Sequence, residues 1–191
     1  MTIIDMHIHL SGRSQCSILS IDQLFNGISH KIDGICITDH WILKPIKFLT
    51  FYELKTFFGV EITSELGDIL AYGIKKIPPK GLNAKEMLKY IHKQGGVAVC
   101  AHPFSNRHIA FGDKVFEFNF DAIEINGSIG KKYNNLAKRA ATIMDLPTTG
   151  GSDAHSDSQL NTYCTKFFNP IFSVDDIIKA IKTKECKAIR I

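Results

Sequence analysis

Short apolar runs rich in β-branched residues alternate along this chain with amphipathic stretches of helical period, and that alternation limits the fold to a mainly parallel sheet layered with crossover helices. The runs are "TIIDMHI", "GICIT", "FFGVEIT", "ILAYGI", "GVAVCA", "DAIEIN" and "PTTGGS". Three intervening helices carry start signals: Ser20 with Gln23, Asn83 with Glu86 and Ser173 with Asp176. Each pairs a capping side chain with a polar one three residues on that can bond back to the cap's amide. Apolar positions at helical spacing follow: Leu24, Phe25 and Ile28; Met87, Leu88 and Ile91; Ile177, Ile178 and Ile181. Gly95-Gly96 ends the second of these helices, and a fourth is predicted over "KYNNLAKRAATIM" with Leu136, Ala137, Ala140 and Met144 inward. An open doubly wound sheet and a closed β/α barrel both fit the pattern. In either one, the loops after the carboxyl ends of the strands build the site.

A length of 191 residues predicts one domain. With 45% hydrophobic and 22% charged residues, the chain has globular usage and no disordered tract. Its net charge of +4 suits anionic substrates but falls short of a nucleic-acid footprint. Five cysteines, Cys16, Cys36, Cys100, Cys164 and Cys186, form no CxxC pair, which predicts reduced thiols in a cytoplasmic protein. An acid and two histidines among the first nine residues argue against a signal peptide, and no apolar run approaches a membrane span. Phenylalanines concentrate in "KFLTFYELKTFFG" and "FGDKVFEFNF", as core or as a contact face.

Polar residues gather at one predicted strand end after another. "DMHIHL" puts His7 and His9 on one face of the first strand. Two neutral imidazoles buried side by side are unfavourable unless something accepts their lone pairs, and a metal ion is the commonest acceptor. Asp39 and His40 follow "GICIT", Glu61 lies at the end of "FFGVE", His102 follows "VAVCA", Glu124 and Asn126 end "DAIEIN", and Asp153 and His155 follow "TTGGS". Such a set converges on one point above the sheet. Its nitrogens and carboxylates suit Zn, Mn or Fe, and Glu61 can bridge two ions. His30 and His92 read as ordinary surface or loop residues.

The ordered set "DMHIH", "ITDH", "GVEIT", "AHP", "AIEIN" and "GSDAH" resembles the polymerase and histidinol phosphatase (PHP) family of metal-dependent phosphoesterases, and is similar to its small stand-alone members. The resemblance implies a distorted seven-stranded β/α barrel, with two or three divalent ions at the C-terminal face of its strands. It implies that His7, His9, Glu61 and Asp153 hold one ion. A second would share Glu61 and use His102, and a third would use His40 and His155. Catalysis would rest on His7, His9, Glu61, His102 and Asp153. Two departures stand out: where many relatives carry an acid after HxH the chain offers Ser14, Gln15 and Cys16, and where many carry a histidine after the glutamate it has Leu70. Asp68 and Cys16 are the nearest replacements in sequence.

The implied chemistry is hydrolysis of a small phosphomonoester, with a nucleotide, nucleoside bisphosphate or short oligonucleotide end as the first expected substrate and histidinol phosphate as an alternative. Arg107 and His108 are placed to meet a phosphate if their loop folds over the site, the alternative being an exposed loop. No Walker or GxGxxG pattern supports nucleoside triphosphate or dinucleotide binding. Two rivals predict other behaviour: a non-catalytic metal-binding module with a degraded site, and an amidohydrolase acting on a C–N bond.

Overall fold

A computed structural model describes residues 1–46, 54–107 and 109–191; His108 and the first half of the first phenylalanine-rich segment, residues 47–53, lie outside the described residues. In chain order the elements are β1 (Thr2–Ile8), α1 (Ile21–Gly27), β2 (Gly34–Ile37), β3 (Lys55–Thr63), β4 (Asp68–Tyr72), α2 (Ala84–Lys93), β5 (Val97–Cys100), β6 (Ala122–Asn126), α3 (Lys131–Ile143), β7 (Thr148–Gly151), β8 (Tyr163–Phe167), α4 (Val174–Lys182) and β9 (Cys186–Arg190). Short 3-10 turns cover Gly112–Glu117 and Asp157–Gln159.

All three predicted capping boxes form. Ser20, Asn83 and Ser173 each accept the amide of the residue three on, while Gln23, Glu86 and Asp176 reach back to the cap amides. Each such cap contributes about 1 kcal/mol. In α3 the buried residues are Asn134, Ala137, Ala140 and Ala141, whereas Leu136 is exposed: the inward face is turned by roughly one position from the predicted one. The small alanines let α3 lie close on the sheet, and Leu136 falls on its flank.

Among the described residues the sheet has nine strands in the order β7-β6-β5-β4-β3-β2-β1-β8-β9, not the expected seven. The two additional strands, β8 and β9, form an antiparallel pair joined through α4, with β8 beside β1. The sheet is not wholly parallel either: β4 runs antiparallel to both β3 and β5, and β8 antiparallel to β1 and β9. A tight turn explains the reversal of β4. Ser64 donates from both its amide and its hydroxyl to the Gly67 carbonyl, so β3 folds straight back instead of crossing over through a helix.

The sheet curls until its ends meet, as a nearly closed barrel. The Asp153 amide donates to the His7 carbonyl at 2.8 Å and the His9 amide to the Ala154 carbonyl at 3.0 Å, which brings the exit of β7 against β1. The Ser152 amide donates to Asp5 Oδ1 at 2.9 Å, and the Thr165 hydroxyl exchanges bonds with the Gly150 backbone. Glycines make this closure feasible: a Cβ on Gly151 would sit 2.4 Å from His7 Cβ, and one on Gly150 2.4 Å from the Cys164 carbonyl.

Buried apolar side chains form three groups. One joins β3 to β6 with α2 and α3, the second joins Ile4, Met6, Leu70, Tyr72 and Phe167 with α4, and the third sets α1 on Ile8, Ile35 and Ile37. Phe111 and Phe120 meet edge-on at 5.0 Å within the first group, so this part of the phenylalanine-rich sequence is core. Cys36, Cys100, Cys164 and Cys186 are buried and Cys16 is exposed, all five as free thiols. No helix among the described residues is long and apolar enough to cross a membrane.

Candidate metal centre

The curled sheet brings His7, His9, His40, Glu61, His102, Asp153 and His155 together at one end. His7, His9, Glu61, His102 and Asp153 are each at most 5% exposed, while His40 and His155 line the wall of a cleft above them. The cleft has a volume of ≈ 370 Å³ and is also lined by Cys16, Thr63, Asp68 and Ile109. That volume suits a small ligand.

Neighbouring side chains fix which ring nitrogen faces inward. His7 Nδ1 donates to Glu124 Oε1 at 2.7 Å, because a carboxylate can only accept. His9 Nδ1 donates to Ser14 Oγ at 3.0 Å, since that hydroxyl spends its own proton on Asp39 Oδ1 at 2.9 Å. Both Nε2 lone pairs therefore point into the centre, where they lie 2.9 Å apart. Two lone pairs at that distance repel unless a cation sits against them. The donor set thus fits a metal ion, with a proton as its stand-in. Asp68 gives a second sign of fit: its buried Oδ1 has no hydrogen-bond partner among the described residues.

Glu61 sits between two groups of donors. Its Oε2 lies 3.4 Å from His7 Nε2, 3.2 Å from His9 Nε2 and 3.1 Å from His40 Nδ1, and its Oε1 lies 3.2 Å from His102 Nε2. Asp153 Oδ1 lies 3.4 Å from both His7 and His9, while its Oδ2 accepts from Asn126 and Ser128. Among the described residues three sets of donor atoms are close enough to hold an ion each: His7, His9 and Asp153; Glu61, Asp68 and His102; and His9, His40 and His155. His102 and Asp153 both adopt positive φ, +28° and +54°, a strained backbone retained where side chains must be aimed.

Asp68, one of the two nearest replacements in sequence, reaches the site through the reversal of β4. In an antiparallel strand the first residue, not the last, reaches the site end, so Asp68 pairs with Thr63 beside the end of β3. Leu70, paired opposite Glu61, is fully buried with Met6 and Tyr72. Glu124 and Asp39, which belong to the set read at the strand ends, and Ser14 stand behind the first layer: Glu124 holds His7, the His102 amide and Asn126, and Ser14 with Asp39 holds His9. Arg107 stays outside the cleft, its guanidinium donating to the Ser128 carbonyl at 2.9 Å.

Burial alone would lower the histidines and raise the acids, but their mutual charges win at the centre. Glu124, Asp153 and Glu61 hold His7 well above the ordinary imidazole range, hydrogen bonds to Asp153 and Glu61 lift His9, and Glu61 lifts His102 to about 9. Glu61 is held well below the usual carboxylate range, chiefly by His7. His40 and His155 are lowered, first by burial and then by neighbouring imidazoles, although Glu61 and Asp153 oppose the change. Without metal the centre therefore carries protons at neutral pH that an ion must displace. Metal affinity is expected to rise with pH through neutrality and still to be rising at about 9, where His102 gives up its proton. Titration calorimetry in buffers of different ionisation enthalpy should show proton release at pH 7, and a buffer-independent heat would contradict the assignment.

The PHP-associated family matches residues 131–186, the segment from α3 to the start of β9 that includes Asp153 and His155. Uncharacterized protein MJ1587 of Methanocaldococcus jannaschii is 30% identical over 122 residues, covering 61% of this chain and 71% of that protein. The chain belongs to the PHP family. Solved structures share the fold of this PHP protein at low identity. PsfC from Pseudomonas syringae superposes with a TM-score of 0.76 at 16% identity, over 98% of this chain and 91% of that one. A Bifidobacterium adolescentis protein to which metal-dependent phosphoesterase activity is attributed gives 0.65 at 16%, over 95% and 96%. An amidohydrolase from Chromobacterium violaceum, crystallised with sulfate and no metal, gives 0.61 at 15%, over 98% and 97%.

The layer behind the donors has its own expected effect. Glu124→Gln in this PHP protein keeps the size of the side chain but weakens its hold on His7 Nδ1. Metal affinity should fall by about 10- to 100-fold with the fold retained, as read by competition with a chromogenic chelator.

Proposed function

We propose that this PHP protein hydrolyses a small phosphomonoester, with a nucleotide, nucleoside bisphosphate or short oligonucleotide end as the first substrate class. The observation that carries the reading is the placement of Glu61, one oxygen facing His7, His9 and His40 and the other His102, at the floor of a small cleft. A carboxylate so placed suits a pair of ions sharing one ligand.

His7, His9, Glu61 and Asp153 would hold one divalent ion, Glu61, Asp68 and His102 a second, and His40 with His155 a third, with Zn, Mn or Fe the ions the donors suit. Divalent ions bound there supply Lewis-acid stabilisation of phosphoryl oxygens and acidify water near neutral pH. The chain's own part is positioning. Glu124 and Ser14 keep His7 and His9 in one tautomer, and Asn126 with Ser128 turns Asp153. Ile109 lines the cleft beside the donors and offers an apolar surface to the organic part of an ester. Arg107 would reach a phosphate only by leaving the Ser128 carbonyl. Four buried free thiols suit a reducing compartment, and we place the protein in the cytoplasm.

The test is phosphate release by protein reconstituted with Mn or Zn, offered an aryl phosphate, a nucleoside 3′,5′-bisphosphate, short oligonucleotides and histidinol phosphate, with an amide and a lactone alongside. The expected result is metal-dependent release with the highest kcat/KM on a nucleotide. Stoichiometric metal with no ester cleaved would make the protein a binding module, and cleavage of the amide alone would make it an amidohydrolase.

A further inference from the structure

We propose that Cys16 supplies a thiolate to the ion held by His40 and His155, making that position a nitrogen–sulfur site that selects zinc or another thiophilic ion over manganese and magnesium. The inference rests on the metal-centre reading and is independent of which bond the protein cleaves.

The argument starts from His155. Its Nδ1 lies 2.9 Å from the Asp153 carbonyl, which can only accept, so Nδ1 carries the proton and Nε2 the lone pair. That lone pair faces Cys16 Sγ at 3.1 Å. Zinc bonds of about 2.3 Å to sulfur and about 2.0 Å to nitrogen, at a tetrahedral angle, separate the two donors by about 3.5 Å. The observed pair is within a few tenths of an ångström of this spacing. The sulfur does not stand alone: ligating atoms of His9, His40 and His155 lie within 4.8 Å of one another, and Cys16 lines the same cleft wall as His40 and His155.

The backbone holds Cys16 there from both sides. Ser14 is bonded to His9 and Asp39, while the Ser17 hydroxyl donates to the carbonyls of His9 and His155 and the Ile18 amide to that of His155. The loop is therefore fastened to the two segments that carry the histidines. A thiolate shifts preference toward zinc, whereas Mn and Mg prefer oxygen. On binding, the thiol proton leaves to solvent and the sulfur lone pair forms the new bond.

Cobalt(II) loading of the metal-free protein provides the readout, because thiolate ligation gives a sulfur-to-cobalt charge-transfer band that nitrogen and oxygen ligands do not. The wild type should show this band and Cys16→Ser should lack it while keeping the cobalt d–d absorption of the other positions. Thiol labelling of the wild type is the second measurement: Cys16, exposed while the other four cysteines are buried, should react first, and zinc should slow it at least tenfold where manganese does not. No charge-transfer band, or labelling indifferent to zinc, overturns the proposal. A band in a protein that cleaves no ester upholds the thiolate and removes the phosphoesterase reading, and cleavage without the band does the reverse.

Discussion

If the protein hydrolyses phosphoesters as proposed, Asp153→Asn is expected to lower that turnover by at least about a thousandfold while leaving the far-ultraviolet circular dichroism unchanged. Asp153 Oδ1 faces His7 and His9 at 3.4 Å, and its other oxygen is already taken by Asn126 and Ser128. The amide preserves the volume but removes the charge that an ion between these groups requires. Metal-based charge stabilisation contributes several kcal/mol to such reactions, and each 1.36 kcal/mol is a factor of ten, which gives the thousandfold scale. Asparagine is the right replacement because position 153 has φ of +54°, a region it tolerates well. His9→Ala, which removes an inward lone pair, should behave alike. Phosphate release at saturating Mn, with metal content by elemental mass spectrometry, decides the matter. Turnover near wild type in either variant would exclude these residues from the centre.

The second large effect is structural. Gly151→Ala should lower stability by about 3 kcal/mol and the melting temperature by roughly 6–12 °C, the upper range of core overpacking, because the new Cβ meets His7 Cβ at 2.4 Å and the His7 amide nitrogen at 2.7 Å. Backbone cannot swing aside as a flexible side chain can. Either β7 or β1 must shift, and a shift of β1 moves His7, so metal affinity should fall with stability. Gly12→Ala is the control. With φ of +76° and nothing within 4 Å of the added Cβ, it carries only the left-handed penalty of about 1–2 kcal/mol. Thermal melts of the two variants with and without added metal compare them. Equal shifts would mean that the closure at Gly151 relaxes freely.

What the sequence disclosed depended on whether the signal was local. The three capping boxes are four-residue patterns and all formed, and the seven runs became β1 to β7. The pair of β8 and β9 escaped because "YCTKF" and "CKAIR" are short and mix charge with apolar residues, and the pairing of β8 with β1 depends on contacts across most of the chain. The donors at the ends of parallel strands were legible since strand direction and residue type pointed the same way. Asp68 needed the direction of β4, which only the turn at Ser64–Gly67 sets. Glu124 and Ser14 act through other side chains, and periodicity carries no trace of that. Arg107 looked suited to phosphate from its place after "AHP", yet the loop gives its guanidinium to a carbonyl instead.

The seam between β1 and β7 also has a bearing on how the molecule comes into being. His7 and His9 are synthesised some 145 residues ahead of Asp153 and His155, and the Asp153-to-His7 backbone bond joins the two segments. Pairings of such long separation are formed slowly in folding. The centre is thus among the last parts to take shape, and ion uptake by the set of His7, His9 and Asp153 reports completion of the barrel. Nascent chains that stop before Asp153 cannot assemble that set, so a ribosome-bound series of increasing length should acquire metal in one late step.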